Sequence, residues 1–192
     1  MGENKGDSKT DNDKDLVWEE ISSEHIVQDE WIDFRKSSFR FPDGTEFGPY
    51  YNYSRRNYVV VVATDEEGNY ICVRQYRYGI RQVTTEFPAG GIEVDDVGGA
   101  LEAAVRELKE ETGYMSDEWR HLITVPSNPT LADNYAYVFE AKNCRKISGQ
   151  ELDDTEFLNV RKYTPGEIDK MVKEEKFQQP IHIMSWLMSK NK

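Results

Sequence analysis

Three glutamates within five residues, Glu107, Glu110 and Glu111, give this sequence its clearest chemical signal. On a helix, which turns by about 100° per residue, Glu107 and Glu111 lie one above the other and Glu110 lies beside them. Their negative charges repel one another, and Arg106 offers one positive charge against three. Clustered carboxylate oxygens suit Mg²⁺ or Mn²⁺, and both ions bind phosphate oxygens. The spacing alone leaves two interpretations open, a metal site or a solvated acidic helix face.

The helix that carries these glutamates is predicted over residues 99–112, where apolar residues recur at i, i+3 or i+4, and i+7. Leu101, Val105 and Leu108 define its predicted core-facing side, opposite the carboxylates. Gly113 predicts the end of the helix, because glycine readily adopts the left-handed conformation found at helix C-termini. A β segment at 83–87 leads into Pro-Ala-Gly-Gly at 88–91, a stretch whose glycines permit unusual backbone conformations.

The remaining elements are strands and two further helices. The pattern predicts a hairpin of two buried strands, 58–63 and 70–76, around a loop that contains glycine. Thr164, Pro165 and Glu167 are the N-cap, the first-turn proline and the capping-box acid of a helix that runs to about residue 175. A last apolar helix is predicted at 181–188, and further strands at 119–125, 136–141 and 156–160. Because strands and helices do not alternate regularly, we expect an α/β fold in which helices pack on a mixed sheet.

The N-terminal part differs in composition from the rest. Residues 1–14 are charged and almost free of apolar residues, which predicts a mobile tail. Residues 15–54 are rich in β-forming residues and contain a Pro-Asp-Gly-Thr turn, which predicts an antiparallel β-unit ahead of a main domain at 55–192. The β-unit is too short to bury all its large aromatic side chains, so we predict that it contributes to a homodimer interface. These side chains are Trp18, Trp31, Phe34, Phe39, Phe41 and Phe47.

Composition and charge argue against several classes of protein. The 192 residues include 24 basic and 36 acidic side chains, and the net charge of −12 is unlike that of a protein that binds nucleic acid through a broad basic surface. The longest apolar run, at 58–63, is far below the ~20 residues of a membrane span, and the N-terminus has no apolar signal-peptide core. Two cysteines make no disulfide framework, and they predict reduced thiols in a cytoplasmic protein.

Two strings of the sequence carry a family resemblance. Residues 106–114 read Arg-Glu-Leu-Lys-Glu-Glu-Thr-Gly-Tyr and resemble the second half of the Nudix box, REUxEExGU, where U is aliphatic or aromatic. Glu-Phe-Pro-Ala-Gly at 86–90 resembles the entry to the box in Nudix hydrolases that cut ADP-ribose and related nucleoside diphosphate sugars. The resemblance extends over about 17–190. It implies the Nudix α/β/α sandwich, with a mixed sheet between helices, and the N-terminal antiparallel β extension typical of the dimeric ADP-ribose pyrophosphatase group.

The resemblance also implies catalytic roles. Glu107 and Glu111 are the expected principal metal ligands, with Glu110 sharing a second metal and the Ala89 carbonyl completing a site. The expected cofactor is Mg²⁺, with Mn²⁺ as the alternative, because such ions neutralise a pyrophosphate and lower the pKa of a bound water. Glu156, in the acidic loop 151–156, is the closest match to the family's general base, which must lie within hydrogen-bond reach of that water.

Four residues are expected to contact the substrate. Arg77 matches the last arginine of a family motif and is predicted to hold the diphosphate, because a guanidinium matches phosphate oxygens. Arg55 is predicted to do the same across the dimer interface, and Glu86 belongs to the box entry. Pro129 follows Gly113 by 16 residues, where ADP-ribose-type members carry a proline. Its context, Ser-Asn-Pro-Thr in place of the more usual Ser-Pro-Gly, leaves other nucleotide sugars open.

One position departs from the Nudix box. The family places a glutamate eight residues before the box arginine, where this chain has Gly98 in a loop that is one residue longer. That glutamate braces the loop, often by pairing with the arginine, and Glu93, Asp95 and Asp96 are the candidates to replace it. No role is assigned to three isolated histidines, His25, His121 and His182.

These expectations combine into one function, the Mg²⁺-dependent hydrolysis of ADP-ribose or a related nucleoside diphosphate sugar to a nucleoside monophosphate and a sugar phosphate. The expected partner is a small-molecule nucleotide sugar, with no nucleic acid and no membrane. Two alternatives stay open. One is a non-catalytic sensor of nucleotide sugars, against which the intact acidic box argues, and the other is a housecleaning pyrophosphatase for nucleoside triphosphates.

Overall fold

The structure, a computed structural model, describes residues Asp13–Lys190. The predicted tail at 1–14 lies outside these residues except for Asp13 and Lys14, which begin a short 3-10 helix, Asp13–Leu16. The chain divides into two compact units, one that ends at Arg55 and one that begins at Arg56. No helix within the described residues has the length and apolar character needed to cross a membrane.

The N-terminal unit is an antiparallel sheet of three strands, as the sequence predicts. Its strands β1 (Glu19–Gln28), β2 (Asp33–Arg40) and β3 (Glu46–Ser54) follow one another in space in chain order. The predicted turn between β2 and β3 closes with a hydrogen bond from the Phe41 amide to the Thr45 carbonyl, 2.8 Å long. Gly44 adopts φ 84° in this turn, a conformation that favours glycine.

One aromatic cluster dominates the N-terminal unit. Trp18 packs against Phe41 with ring centroids 4.5 Å apart and against Tyr50 at 5.5 Å, and Phe47 contacts Tyr50 at 5.6 Å. Within the chain these rings are only partly covered, since Trp18 is 47% exposed and Phe47 56% exposed. The unit therefore presents aromatic surface that its own three strands do not bury.

The second unit is a mixed sheet with helices on both faces. Its strands are β4 (Tyr58–Asp65), β5 (Tyr70–Arg77), β6 (Gln82–Glu86), β7 (Ala89–Gly91), β8 (Tyr114–Met115), β9 (Glu118–Pro126), β10 (Tyr135–Lys146) and β11 (Leu158–Tyr163). The strand order is β11-β5-β4-β10-β8, with β6 paired to β5, β7 to β4 and β9 to β10. Strands β4 and β10 run parallel and the other pairs are antiparallel. The helices are α1 (Ala100–Thr112), α2 (Pro165–Lys173) and α3 (Pro180–Lys190).

Strand β4 is buried on both faces and lies at the centre of two hydrophobic cores. Val59 and Val61 point to one face, where they pack with Leu108 of α1, whereas Val60 and Val62 point to the other face with Trp186 of α3. This alternation follows from the two-residue period of a strand. The arrangement confirms the predicted α/β fold with a mixed sheet between helices.

Helix α1 turns a different face to the core from the one predicted. Leu101 is 43% exposed, and the buried residues of α1 include Glu107 and Glu111 beside Leu108. The prediction that the carboxylates lie opposite the core was therefore wrong for Glu107 and Glu111, whereas Leu108 is buried as predicted. Small residues explain the difference, because Ala103 and Ala104 let α1 lie close to the sheet and bring both glutamates against the strand that follows the box entry.

Two boundaries further along the chain bear on the site. Strand β11 begins at Leu158, so Glu156 lies in the preceding loop and not in a strand as the predicted segment 156–160 implied. The Glu156 amide donates a hydrogen bond to the Asp153 carbonyl, 2.9 Å long. Because this bond closes a turn, the strand begins only after Glu156. The N-terminus of α2 is as predicted, with a complete capping box between Thr164 and Glu167.

We expect Gly113→Ala to lower the free energy of unfolding by about 2–4 kcal/mol in urea denaturation. Gly113 ends α1 at φ 73°, and a Cβ added to it would overlap the carbonyl oxygen of Ser148. Gly68→Ala is the control, because Gly68 also has a positive φ, 81°, but no atom lies within 4 Å of an added Cβ. That control should cost about 1–2 kcal/mol. Equal losses in the two variants would show that the Ser148 carbonyl simply moves away.

Candidate active site

The buried glutamates of α1 lie against the short strand β7. The Ala89 amide donates a hydrogen bond to Oε2 of Glu111, 3.0 Å long. A Cβ added to Gly90 would overlap the carboxyl group of Glu107, so the backbone at this position approaches that carboxylate as closely as only glycine allows. The Pro-Ala-Gly-Gly stretch and the Nudix-like helix thus meet at one point, as their motifs predict.

Burial sets the charge state of this pair. Burial raises the pKa of Glu107 to about 7, and the charges of Glu110 and Glu156 add to the effect. Burial also raises the pKa of Glu111 well above its ordinary value, with further contributions from Glu107 and Glu156. Negative charge at this point is therefore costly in the chain alone, and a cation bound beside the carboxylates would remove that cost.

Arg106 joins the acidic helix to the loop before it. Its guanidinium donates to Asp96 at 3.0 and 3.1 Å, to Glu107 at 2.8 Å, to Glu110 at 2.9 Å and to the Gly91 carbonyl at 2.9 Å. These bonds, above all those to Asp96, raise the pKa of Arg106 further. The arginine therefore remains charged and braces the loop between β7 and α1.

Asp96 occupies the role of the glutamate that is missing from the box. Its side chain is almost fully buried, and it accepts hydrogen bonds from Arg106 and, at 2.7 Å, from the Glu93 amide. Of the three candidates, Asp95 is exposed and Glu93 lies 3.8 Å from Arg56. The longer loop thus replaces a glutamate with an aspartate that lies two residues further from the arginine along the chain.

The oxygen atoms of these carboxylates are suitable ligands for a divalent metal, but each carboxylate already accepts a hydrogen bond from another group of the chain. No group of three or more histidine, cysteine or acidic side chains is gathered as a metal cluster among the described residues. Glu107 and Glu110 are turned towards Arg106, and Glu111 is bonded to the Ala89 amide. The fit rests on the donor set, oxygens of buried carboxylates, and on the glycine that leaves room for them.

The loop that carries Glu156 is anchored to the C-terminal end of α1. Gln150 donates from Nε2 to the Glu111 carbonyl at 2.8 Å, and the Glu151 amide donates to the Glu110 carbonyl at 2.9 Å. Glu156 is close enough to raise the pKa of both Glu107 and Glu111. The structure therefore brings the predicted base to the acidic helix, through a glutamine that no sequence motif marks.

Arg77 and Glu86 form an ion pair beside the same helix, in which the carboxylate is buried and the guanidinium is partly exposed. The guanidinium contacts the carboxylate at 2.5 and 2.9 Å, and Thr84 also bonds to it. Burial would raise the pKa of Glu86, but the contacts with Arg77, together with those of His182 and Thr84, outweigh burial and keep the pKa below its ordinary value. Because Glu86 is fully buried, we assign it to the positioning of Arg77 and correct the expectation that it contacts substrate directly.

The other predicted substrate residues lie elsewhere on the surface. Pro129 is exposed in the turn between β9 and β10, and Asn134 ties the end of that turn to the Arg56 carbonyl at 3.1 Å. Arg55 is exposed at the end of the N-terminal unit. His182, to which the sequence assigned no role, is buried and accepts a hydrogen bond from the Phe87 amide in the box entry.

A sheet between helices, with clustered carboxylates on one helix and an arginine beside them, fits a hydrolase of pyrophosphate bonds. The chain belongs to the Nudix family, because the NUDIX domain matches residues 54–187. It is 30% identical to an ADP-ribose pyrophosphatase of Bacillus subtilis over 83% of this chain and 85% of that protein. It is 32% identical to a methanol dehydrogenase activator of Bacillus methanolicus, over 62% of this chain and 63% of that protein. A crystal structure of an ADP compounds hydrolase matches the fold with a TM-score of 0.77 at 18% identity, covering 91% of this chain and 94% of that one.

We expect Asp96→Asn to destabilise the protein by about 1–3 kcal/mol at pH 7, because it removes the charge of a buried acceptor that is paired with Arg106. Hydrogen bonds from Arg106 hold the pKa of Asp96 below its ordinary value. The contribution is therefore complete above about pH 4 and is lost as the pH falls through the folded-state pKa. Urea denaturation at several pH values measures it. The exposed neighbour variant Asp95→Asn should change stability by less than about 0.5 kcal/mol, and an equal loss there would contradict the assignment.

Proposed function

We propose that this Nudix hydrolase cleaves the pyrophosphate bond of ADP-ribose, or of a related nucleoside diphosphate sugar, to a nucleoside monophosphate and a sugar phosphate. The observation that carries the proposal is the buried pair Glu107 and Glu111 against Ala89 and Gly90. The ADP-ribose pyrophosphatase that aligns over most of the chain supports this substrate class. We assign the reaction to the domain at 55–192, preceded by the β-unit at 15–54 and the tail at 1–14.

We propose Mg²⁺ as the cofactor, with Mn²⁺ as the alternative. When bound, the metal neutralises pyrophosphate oxygens and lowers the pKa of a water. Glu107 and Glu111 would hold it, with Glu110 and the Ala89 carbonyl contributing further oxygens. Nudix hydrolases use divalent metal ions, and the buried carboxylate pair of this chain has the oxygen donors that such ions require.

The chain's own residues supply the remaining steps. Arg77, positioned by Glu86, binds oxygens of the pyrophosphate and matches their negative charge. Glu156 takes the proton of the attacking water, and the anchors of its loop on α1 keep it beside the carboxylates. Arg106 and Asp96 hold the loop between β7 and α1 in place. The bond between phosphorus and the bridging oxygen breaks, and the phosphate of the other half leaves.

Two further residues are proposed to contact the substrate. Pro129, in the turn after β9, would contact a part of the substrate outside the pyrophosphate, and Arg55 would help to hold the diphosphate across the dimer interface. Because this exposed turn does not identify one nucleotide sugar, GDP-mannose and other nucleotide sugars are included among the substrates to be tested. A sensor would bind a nucleotide sugar without releasing products, and a triphosphate pyrophosphatase would release inorganic pyrophosphate, so the products distinguish the alternatives.

We expect Glu111→Gln to lower kcat for the best nucleotide sugar by roughly 10² or more at saturating Mg²⁺, because a neutral amide replaces an anionic ligand. The raised pKa of Glu111 means that its charge destabilises the metal-free fold as the pH rises above 4.5. The metal-free variant should therefore melt at the same or a higher temperature at pH 7. Added Mg²⁺ should raise its melting temperature less than that of the parent.

Product analysis by chromatography accompanies these kinetics, with ADP-ribose, GDP-mannose, ADP-glucose and nucleoside triphosphates as substrates. Glu102→Gln is the matched control, since Glu102 is an exposed glutamate on the same helix. It should keep full activity. Near-normal turnover by Glu111→Gln would refute the metal assignment, and an inactive parent protein with every nucleotide would refute the proposed function.

We also propose a homodimer in which the N-terminal β-unit forms part of the interface. Exposed aromatic surface of this kind is typical of association sites, and Trp18, Trp31 and Phe47 are 47%, 65% and 56% exposed within the chain. Light scattering at micromolar concentration should give twice the chain mass of 22.3 kDa. Phe47→Glu should shift the protein towards the monomer. A monomeric mass for the unaltered full chain would contradict the proposal.

We propose a cytoplasmic location from the two cysteines and a small-molecule substrate from the net charge. Cys72 and Cys144 are free and buried thiols, which fits a reducing, cytoplasmic compartment. The net charge of −12 fits a small-molecule substrate rather than nucleic acid, and we propose that the protein works without a membrane partner.

A further inference from the structure

His182 is a buried histidine that the proposed mechanism does not use. It lies on α3, is 3% exposed, and packs against Phe87 with ring centroids 6.3 Å apart and planes 14° from parallel. Its Nδ1 accepts a hydrogen bond from the Phe87 amide, 3.1 Å long. The two residues are 95 positions apart, so the C-terminal helix is tied directly to the box entry.

The bond to Phe87 determines the state of the imidazole ring. Because Nδ1 accepts a hydrogen bond, the proton of the neutral ring is on Nε2. Nε2 lies 3.9 Å from Oε2 of Glu86, beyond hydrogen-bond length but with its N–H dipole next to a buried carboxylate. Burial lowers the pKa of His182 to about 4 against the opposing field of Glu86, so the ring is neutral at pH 7. The charge of Glu86 is consequently left for Arg77.

The contacts of Glu86 make this arrangement relevant to substrate binding. Its carboxylate accepts from Arg77 and Thr84 and faces His182 on a further side. Arg77 is the part of this network that reaches solvent, with 35% of its side chain exposed, whereas Glu86 is fully buried. A change in the Glu86 carboxylate is therefore transmitted to the guanidinium that we assign to the pyrophosphate.

We propose that His182 is a positioning residue for substrate binding, which orients Glu86 behind Arg77 and fixes the backbone of Phe87 ahead of Ala89. The inference rests on the proposed function, in which Arg77 binds the pyrophosphate. His182 touches neither substrate nor metal in this role. Loss of the imidazole should therefore weaken substrate binding more than it slows the chemical step.

Three substitutions at His182 separate the effect of its ring packing from its hydrogen bond with the Phe87 amide and from the proximity of its Nε2 to Glu86. His182→Phe keeps an aromatic ring but removes both nitrogens, and leaves the buried Phe87 amide without its acceptor. His182→Asn keeps an acceptor near the position of Nδ1, and His182→Gln keeps a donor near the position of Nε2. For ADP-ribose we expect KM to rise about tenfold in His182→Phe, with kcat within about twofold of the parent value. The Asn and Gln variants should restore part of this loss.

Ser185→Ala is the matched control. Ser185 is fully buried on the same helix, and its Oγ donates to the Ile181 carbonyl within α3. It should leave KM unchanged even where the melting temperature falls. If His182→Phe does not fold, the Asn and Gln variants carry the test, because a KM equal to that of the parent in both would overturn the inference.

A double-mutant cycle with Arg77→Met shows whether His182 acts through Arg77. We expect Arg77→Met alone to raise KM, and His182→Phe to raise it no further in that background. If the two effects multiply instead, His182 acts independently of Arg77 and the inference alone is overturned. If Arg77→Met leaves KM unchanged while the enzyme still cleaves nucleotide sugars, the inference and the role of Arg77 both fail. An enzyme that cleaves no nucleotide sugar refutes the proposed function, and the inference with it.

Discussion

The burial of two carboxylates on one face of α1 is the constraint on which the rest of the site depends. Glu107 and Glu111 lie under the Ala89–Gly90 backbone, where charge is costly and burial raises the pKa of each. A fold tolerates such groups only where partners or a bound cation compensate them. In the chain alone these two carboxyl groups are therefore hard to ionise, and the divalent ion that we propose would favour their charged forms.

Two arginines with different partners surround that charge. Arg106 is held mainly by Asp96 and braces the loop before α1, while Arg77 is held by Glu86 at the end of β6. In both pairs the carboxylate is buried and the guanidinium is partly exposed. Arg106 also contacts Glu107 and Glu110, and the charge of Arg77 opposes the rise in the pKa of Glu111, so both arginines partly offset the buried acids.

Strand β4 holds the box entry against the carboxylates. It is buried on both faces, and its ladder holds β7, whose Ala89 and Gly90 lie on the carboxylates. The Val61 amide also donates a hydrogen bond to the Pro88 carbonyl, 2.8 Å long. Backbone bonds to β4 therefore hold both Pro88 and the strand β7 that follows it. The loop with Glu156 is fixed differently, by bonds from Gln150 and Glu151 to the last turn of α1.

Local patterns in the sequence were enough to predict the acidic helix, its end at Gly113 and the capping box at Thr164, because each depends on residues within one or two turns. They did not predict which face of α1 is buried, since Leu101 suggests one side and only the fit of Ala103 and Ala104 against the sheet decides for the other. Contacts between distant segments were equally invisible. The sequence does not distinguish Asp96 from the two other acidic residues of its loop as the partner of the box arginine. No motif around Gln150 or His182 indicates their partners. Tertiary structure decided these points, because a buried hydrogen bond is specified by where two segments meet and not by the residues next to it in the chain.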